Sequence, residues 1–442
     1  MIMQRLISFG GLFVLMGLAW LMSSHKKRVN LRMIVGGLSL QFVLAALVLG
    51  TVPGKKMFDG INVGFEHLNE FVQAGSNFVF GMDSEQESYR KELRKQAEDQ
   101  GSAATEQAET PSQPRRTRQL MSSFAFGVLP TIVFFASLMG ILYHLGIMQL
   151  VVTAMARLMQ YTLGVSGAES LAAAANVFVG HTEAPLVIRP YLSKLTLSEL
   201  NAVMVGGFAT VTGGLLVAYH EMGISAGHLV TASVISAPAA LLVAKLMQPE
   251  VDTPETRGTA KVQVSRTGSN LIEAAAIGAT DGLKLAVNVG VMLLAFLALI
   301  AMANAGIGWI GSWFGQTWSL EAGLGVLFAP IGWVMGIPWE ECRHAGQLLG
   351  LKMVTNEFLA YDQLGQWLQE DSTVQISQRT QNIMIYALSG FSNFGAIGIQ
   401  LGGIGGLAPD RRTDLAKLGL RAMIGGTIAC CMTACVAGVL IG

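Results

Sequence analysis

Residues Gly180 to Pro190 read GHTEAPLVIRP, placing His181, Thr182 and Glu183 together beside a long apolar run. The surroundings leave such groups little water. Of 442 residues, 52% are hydrophobic and 13% charged, and the mean hydropathy is +0.50, outside the balance of a soluble globular chain. Apolar stretches long enough to cross a bilayer recur at roughly 4–22, 33–51, 119–147, 199–219, 226–247, 281–304, 383–404 and 413–441. The fold class expected is an all-α polytopic membrane protein of about eight spans, with GHTEAP at the polar tip of an apolar hairpin between the third and fourth.

Charge placement orients the spans. The first has only Arg5 before it and Lys26, Lys27 and Arg28 after it, so it reads as a retained span and not as a cleaved signal. Basic residues concentrate in 25–32, 189–194, 245–266 and 411–421, which the positive-inside rule puts in the cytoplasm, with both termini outside. The formal net charge is zero and gives no attraction to nucleic acid. Cys342, Cys430, Cys431 and Cys435 fit neither a zinc site nor a disulfide framework, and read as helix-packing thiols.

The third span is preceded by two unlike segments. Residues 57–80, MFDGINVGFEHLNEFVQAGSNFVF, have the near-helical alternation of an amphipathic helix lying in the interface. Residues 81–118 are charged and rich in Gln, with few apolar side chains, and read as a solvated, disordered insertion.

An internal repeat follows. A span at 119–147, the GHTEAP hairpin, a span with GGFATVTGG (Gly206 to Gly214) and a further span recur as a span at 281–304, an apolar stretch with TNEFLAYD (Thr355 to Asp362), a span with SGFSNFGAIG (Ser389 to Gly398) and a last span. With three crossings and one re-entrant hairpin per half, the second half enters the membrane upside down. The chain divides accordingly into 1–80, 81–118, and two inverted repeats, 119–250 and 251–442.

An acid at the bilayer centre costs about 2.5–3.5 kcal/mol on insertion scales, which makes Glu183 and Glu357 candidates for a solute pathway; a carboxylate bonded to its own hairpin backbone is the plainer alternative. The glycine-rich stretches at Gly206 and Ser389 invite broken helices, whose freed carbonyls and amino ends bind ions and solutes, or else they serve close helix packing. Asn176, Thr210 and nearby carbonyls offer the hard oxygens that a sodium ion takes. His181 reads equally as a core donor, a solute contact or a proton acceptor. Neither a hydrolase elbow nor a phosphate loop is present, and no second His or Cys stands near His181 for a metalloenzyme, so no enzyme is expected.

From about residue 30 to the end, outside 81–118, the chain resembles the concentrative nucleoside transporters. The likeness is dense in FAFGVLPTIVFFASLMGILYHLGIMQ, GHTEAPLVIRPYL, SVISAPAALLVAKLMQPE, NEFLAYDQL and GIQLGGIGGLAPDRRTDLAKLGLRAMIGGT. The resemblance implies a plasma-membrane homotrimer, in a bacterium the inner membrane, that imports nucleosides with sodium by an elevator-type movement. It implies nucleobase contacts from His181, Thr182, Glu183 and Leu215, ribose contacts from Glu357 and Asn393, and sodium held by Asn176, Thr210 and the carbonyls of Val179 and Val211. Two positions depart from the family pattern. His181 stands where glutamine is usual, and Ala396 stands where a serine hydroxyl is expected to bond the sugar.

The expected function is therefore cation symport of a nucleoside or close analogue, with sodium as coupling ion and no other cofactor. A proton-coupled carrier in which His181 or Glu183 titrates is the alternative; an intramembrane enzyme using Glu183 and Glu357, or a solute receptor without transport, stands further off.

Overall fold

A computed structural model describes residues 2–80, 128–257, 268–369 and 372–441. The expected insertion at 81–118 and the start of the third span lie outside them. Every regular element among the described residues is helical.

The chain opens with α1 (Ile2–Leu21) and α2 (Leu31–Ala45), the latter continued by a π turn, Ala46–Gly50. The expected interfacial helix is α3 (Val52–Val79), started by Thr51, whose hydroxyl accepts from the Gly54 amide. The first repeat comprises α4 (Leu129–His144), α5 (Ile147–Leu163), the hairpin arms α6 (Gly167–Ala175) and α7 (Ala184–Val187), then α8 (Leu197–Ala209), α9 (Gly213–Glu221) and α10 (Ala226–Met247). The second runs α11 (Leu271–Ser312), α12 (Leu320–Val334), hairpin arms α13 (Cys342–Val354) and α14 (Glu357–Trp367), then α15 (Gln378–Leu388), α16 (Phe394–Leu407) and α17 (Arg412–Leu440). The order of parts repeats as expected. Two helices, α5 and α12, were not singled out in the sequence; each leads into its hairpin.

Among the described residues, six helical stretches are long and apolar enough to cross a membrane: α1, α2 with its π turn, α8 with α9, α10, α11, and α17 with the turn before it. The other two expected crossings are α4, whose expected first residues are not described, and α15 with α16, whose first half carries Arg379, Thr380 and Asn382. The helix α4 meets α5 at a bend of 78°.

Two bodies of packing position the site. Around α17 gather α1, α8, α10 and α15, while α4 lies along α11. Gly278 makes the second pairing possible: a Cβ there would run into the Ala136 carbonyl of α4, so only glycine lets the two backbones touch.

The roots of both hairpins are locked by buried cations, which corrects one charge reading. Lys245, expected to begin a cytoplasmic loop, is buried with Nζ 2.7 Å from Glu169 and 3.1 Å from Glu250, and it donates to Ser198 at 2.9 Å. It ties α6 to the start of α8, where Ser166 with Glu169 and Thr196 with Glu199 form capping boxes. Arg379, in the first turn of α15, is buried and donates to the Gly336 carbonyl at 2.9 Å, the Ile441 carbonyl at 3.1 Å and Ser8 at 2.9 Å. Charge removed from water must be paired or fully hydrogen-bonded, and each cation meets that need by bridging helices that sequence distance separates.

Candidate functional site

The two helix breaks meet at the centre of the α17 body. The first runs through Thr210, Val211 and Thr212, β-branched residues in extended backbone with no helical continuation before Gly213. The second is Ser389, Gly390, Phe391 and Ser392, closed by Asn393, whose side chain caps α16 by accepting from the Ala396 amide at 2.8 Å. They touch: the Phe391 amide donates to the Thr210 carbonyl at 3.3 Å. Beneath both lies Cys430, its thiol 3.3 Å from the Ser389 carbonyl and 3.7 Å from that of Ala209. All four cysteines are free and buried, as expected, and Cys430 also supplies these carbonyls with a weak donor.

Hairpin 2 brings Glu357 to this centre. Asn356 caps α14 by accepting from the Leu359 amide at 3.0 Å, which leaves Glu357 as the first helical residue, where the helix dipole favours an anion. Its carboxylate accepts from the Tyr219 hydroxyl of α9 at 3.1 Å and from the Asn393 amide at 3.3 Å. Tyr219 rests on Tyr361, with ring centroids 4.4 Å apart, and Tyr361 donates to the Ile385 carbonyl at 2.7 Å. On the other arm, α13, buried Lys352 donates to the Ala387 carbonyl just ahead of the second break at 3.0 Å. Ala396 is buried but contributes only its backbone N–H, and Asn393 spends its oxygen on that contact.

Hairpin 1 is differently served. Asn176 ends α6 with both amide atoms buried and without a partner. It packs on Gly206, one turn before Thr210, whose hydroxyl donates to the Gly206 carbonyl at 2.9 Å. The Phe178 carbonyl accepts from the Gly213 amide at 3.0 Å, so the hairpin turn containing Val179 is sewn to the break containing Val211. Asn176, Val179, Thr210 and Val211 thus stand around one junction. Their oxygens are the uncharged, hard donors that suit a monovalent cation.

At the tip, the three expected contact residues part company. His181 is edge-on to Phe391, centroids 4.9 Å apart, with both ring nitrogens buried and unpartnered. Thr182 packs on Gly403 of α16. Glu183 turns the other way; it accepts weakly from the Gly180 amide at 3.3 Å and lines a cavity of about 300 Å³ with Tyr143, Thr212 and Asp281. That cavity lies between hairpin 1 and the α4–α11 pair, and Glu357 is not among its walls. Leu215 is buried on α9, one turn before Tyr219 and on the same short helix that reaches Glu357.

Tyr219, Phe391, Ser392 and Gln400 escaped the sequence reading. Aromatic and serine residues carry no signal inside an apolar helix, but Gln400 did: an amide in GIQLGG must find a partner or a purpose. Ser389, Ser392 and Gln400 all keep buried unpartnered oxygens, concentrating unmet hydrogen-bonding capacity between the two breaks.

Similar proteins match this architecture from end to end. Family descriptions cover the chain in order: Na+ dependent nucleoside transporter N-terminus over residues 10–83, nucleoside recognition (Gate) over 125–226, and Na+ dependent nucleoside transporter C-terminus over 228–438. An uncharacterized transporter of Haemophilus influenzae is 40% identical, over 100% of this chain and 99% of its own length. Sodium/nucleoside cotransporter 1 of Mus musculus is 39% identical over 99% of this chain, which spans 64% of that relative's length. The solved structure of CNTnw in an inward-facing substrate-bound state has a TM-score of 0.85 at 40% identity, over 99% of this chain and 97% of that one.

Proposed function

Since the chain belongs to the concentrative, Na+ dependent nucleoside transporter family, whose members are integral membrane transporters and not enzymes, we propose that it imports a nucleoside by sodium symport with an elevator-type movement. The observation that carries the reading is Glu357: a carboxylate on a re-entrant tip, held by Tyr219 from one broken helix and Asn393 from the other. Acid and amide together suit the vicinal hydroxyls of a ribose, each of which donates and accepts. His181, Thr182 and Leu215 face the base, Glu183 joins them only by turning out of the cavity it lines with Tyr143, and Ala396 leaves one sugar hydroxyl without the partner that a serine would offer.

Sodium sits at the junction of Asn176, Val179, Thr210 and Val211. Its charge would satisfy the unpartnered Asn176 oxygen and pull hairpin 1 onto the first break, so that ion and nucleoside bind cooperatively. The α17 body moves with both hairpins against the α4–α11 pair. Exposed apolar residues on α11, among them Leu294, Leu297 and Met302, suit lipid or sister copies, in keeping with a homotrimer in a plasma membrane, a bacterial inner membrane, with both termini outside. The domain division follows the repeats: 1–80, 81–118, 119–250 and 251–442.

Counterflow in proteoliposomes with a panel of nucleosides and nucleobases, with and without sodium, tests this. Accumulation of a chemically unchanged nucleoside that requires sodium is expected; exchange of nucleobases alone, or no exchange at all, would refute it. One observation favours proton coupling instead, the sharing of a cavity by Glu183 and Asp281. Uptake that follows pH and ignores sodium would establish that second reading.

A further inference from the structure

Gln400 has no role in the mechanism above, yet it lies at its centre. It sits on α16 one turn beyond Ala396, fully buried, and its Nε2 donates to the Met204 carbonyl of α8 at 3.2 Å while its Oε1 is unpartnered. The bond to Met204 decides the amide's orientation: the nitrogen must face the carbonyl, so the unpartnered end is an acceptor. His181 is its neighbour. A Cβ built on Gly207 would stand 2.6 Å from His181 Cβ and 2.7 Å from Gln400 Nε2, so only a residue without a side chain lets hairpin 1 and α16 close over α8 here. Phe391 also meets the imidazole, in a T-shaped contact with ring centroids 4.9 Å apart.

These groups form a complementary set. A neutral imidazole offers one donor and one acceptor, both unmet, and Gln400, whose amide reaches the same Gly207, adds an unmet acceptor fixed by its bond to Met204. Orphaned polar atoms inside a membrane body cost stability unless a ligand meets them. We propose that Gln400 is a specificity-determining residue, its Oε1 accepting an N–H from the edge of the base while the His181 N–H donates to the adjacent base acceptor. The substrate class is then a nucleoside whose base carries a donor next to an acceptor, either an imide N–H flanked by carbonyls or an exocyclic amine beside a ring nitrogen. The amide expected from hairpin 1 in this family, replaced here by His181, is supplied from α16.

This inference rests on the nucleoside reading, and its test separates the two. Binding of uridine is compared with N3-methyluridine, and of adenosine with N6,N6-dimethyladenosine, in the parent protein and in Gln400→Met, which keeps side-chain volume and removes the acceptor. The parent is expected to favour the N–H form by ~10-fold or more in the series it transports, and Gln400→Met to narrow that ratio to ~2-fold. A parent that does not discriminate in either series overturns the inference without any variant being needed. So does a ratio that Gln400→Met leaves unchanged while weakening every nucleoside alike, the result expected if Gln400 only fastens α16 to Met204. A parent that binds no nucleoside overturns the functional reading and this inference with it.

Discussion

Hairpin 2 and hairpin 1 occupy equivalent places in the two repeats, but one arrives at the centre with the polar groups of its tip bonded and the other does not. In hairpin 2, Asn356 caps its own helix, Glu357 has two donors and Lys352 has the Ala387 carbonyl. In hairpin 1, Asn176 and His181 are unpartnered in every side-chain polar atom, and Glu183 holds one long contact to its own turn. Hydrogen bonds that exist before a ligand arrives preorganise a site, whereas unmet ones make its order depend on what binds. The second half therefore presents a finished anchor, and under the proposed function the first half is completed by solute and cation. The structural difference has a charge counterpart: at the junction of hairpin and broken helix, the second half carries its own ammonium on Lys352, and the first has no cation but the carboxyls of Glu183 and Asp281 around a cavity that Thr212 also lines.

The largest effect expected lies at a root and not at a tip. Lys245→Met leaves Glu169 buried without its cation and should cost about 3–5 kcal/mol, read as a lowered thermal midpoint in detergent, with recovery in the Lys245→Met, Glu169→Gln double variant. Lys352→Met, which abandons one carbonyl, should lose less than half as much; equal losses would dissolve the distinction between an ion-pair lock and a single tether.

Next comes the anchor. Glu357→Gln replaces a charged acceptor by a neutral one, and nucleoside affinity should fall ~10- to 100-fold with the sodium requirement intact, as measured by binding at saturating sodium. Asn176→Ala should do the reverse. The sodium concentration for half-maximal uptake rises ~5- to 10-fold while affinity at saturating sodium changes little, and an equal shift in both quantities would argue against separate ion and solute stations. Smallest is Ala396→Ser, which restores a hydroxyl near the sugar and should alter the riboside to deoxyriboside uptake ratio ~3-fold. Identical ratios in variant and parent would show that position 396 does not see the sugar.

Much of the architecture is legible because membrane spans are written in local terms. Length, hydropathy and the repeated order of GHTEAP with GGFATVTGG and TNEFLAYD with SGFSNFGAIG suffice for the spans, hairpins and breaks, since within a bilayer each helix must satisfy its own backbone. Lys245 was misread for the same reason: a basic residue at the end of a span looks like a loop charge until its partner, dozens of positions away, is known. Tyr219 carried no mark distinguishing it from an ordinary core aromatic.

Composition and period thus settle that the chain lies in a membrane, where it turns back and which acids must be explained. Only the packed structure decides that His181 and Glu183, two positions apart, face opposite ways, and that Glu357 meets Tyr219 and Asn393 from two different helices. Hydropathy is a property of each segment alone. A binding site is a set of directions, and directions arise only when broken helices from both repeats are brought against each other.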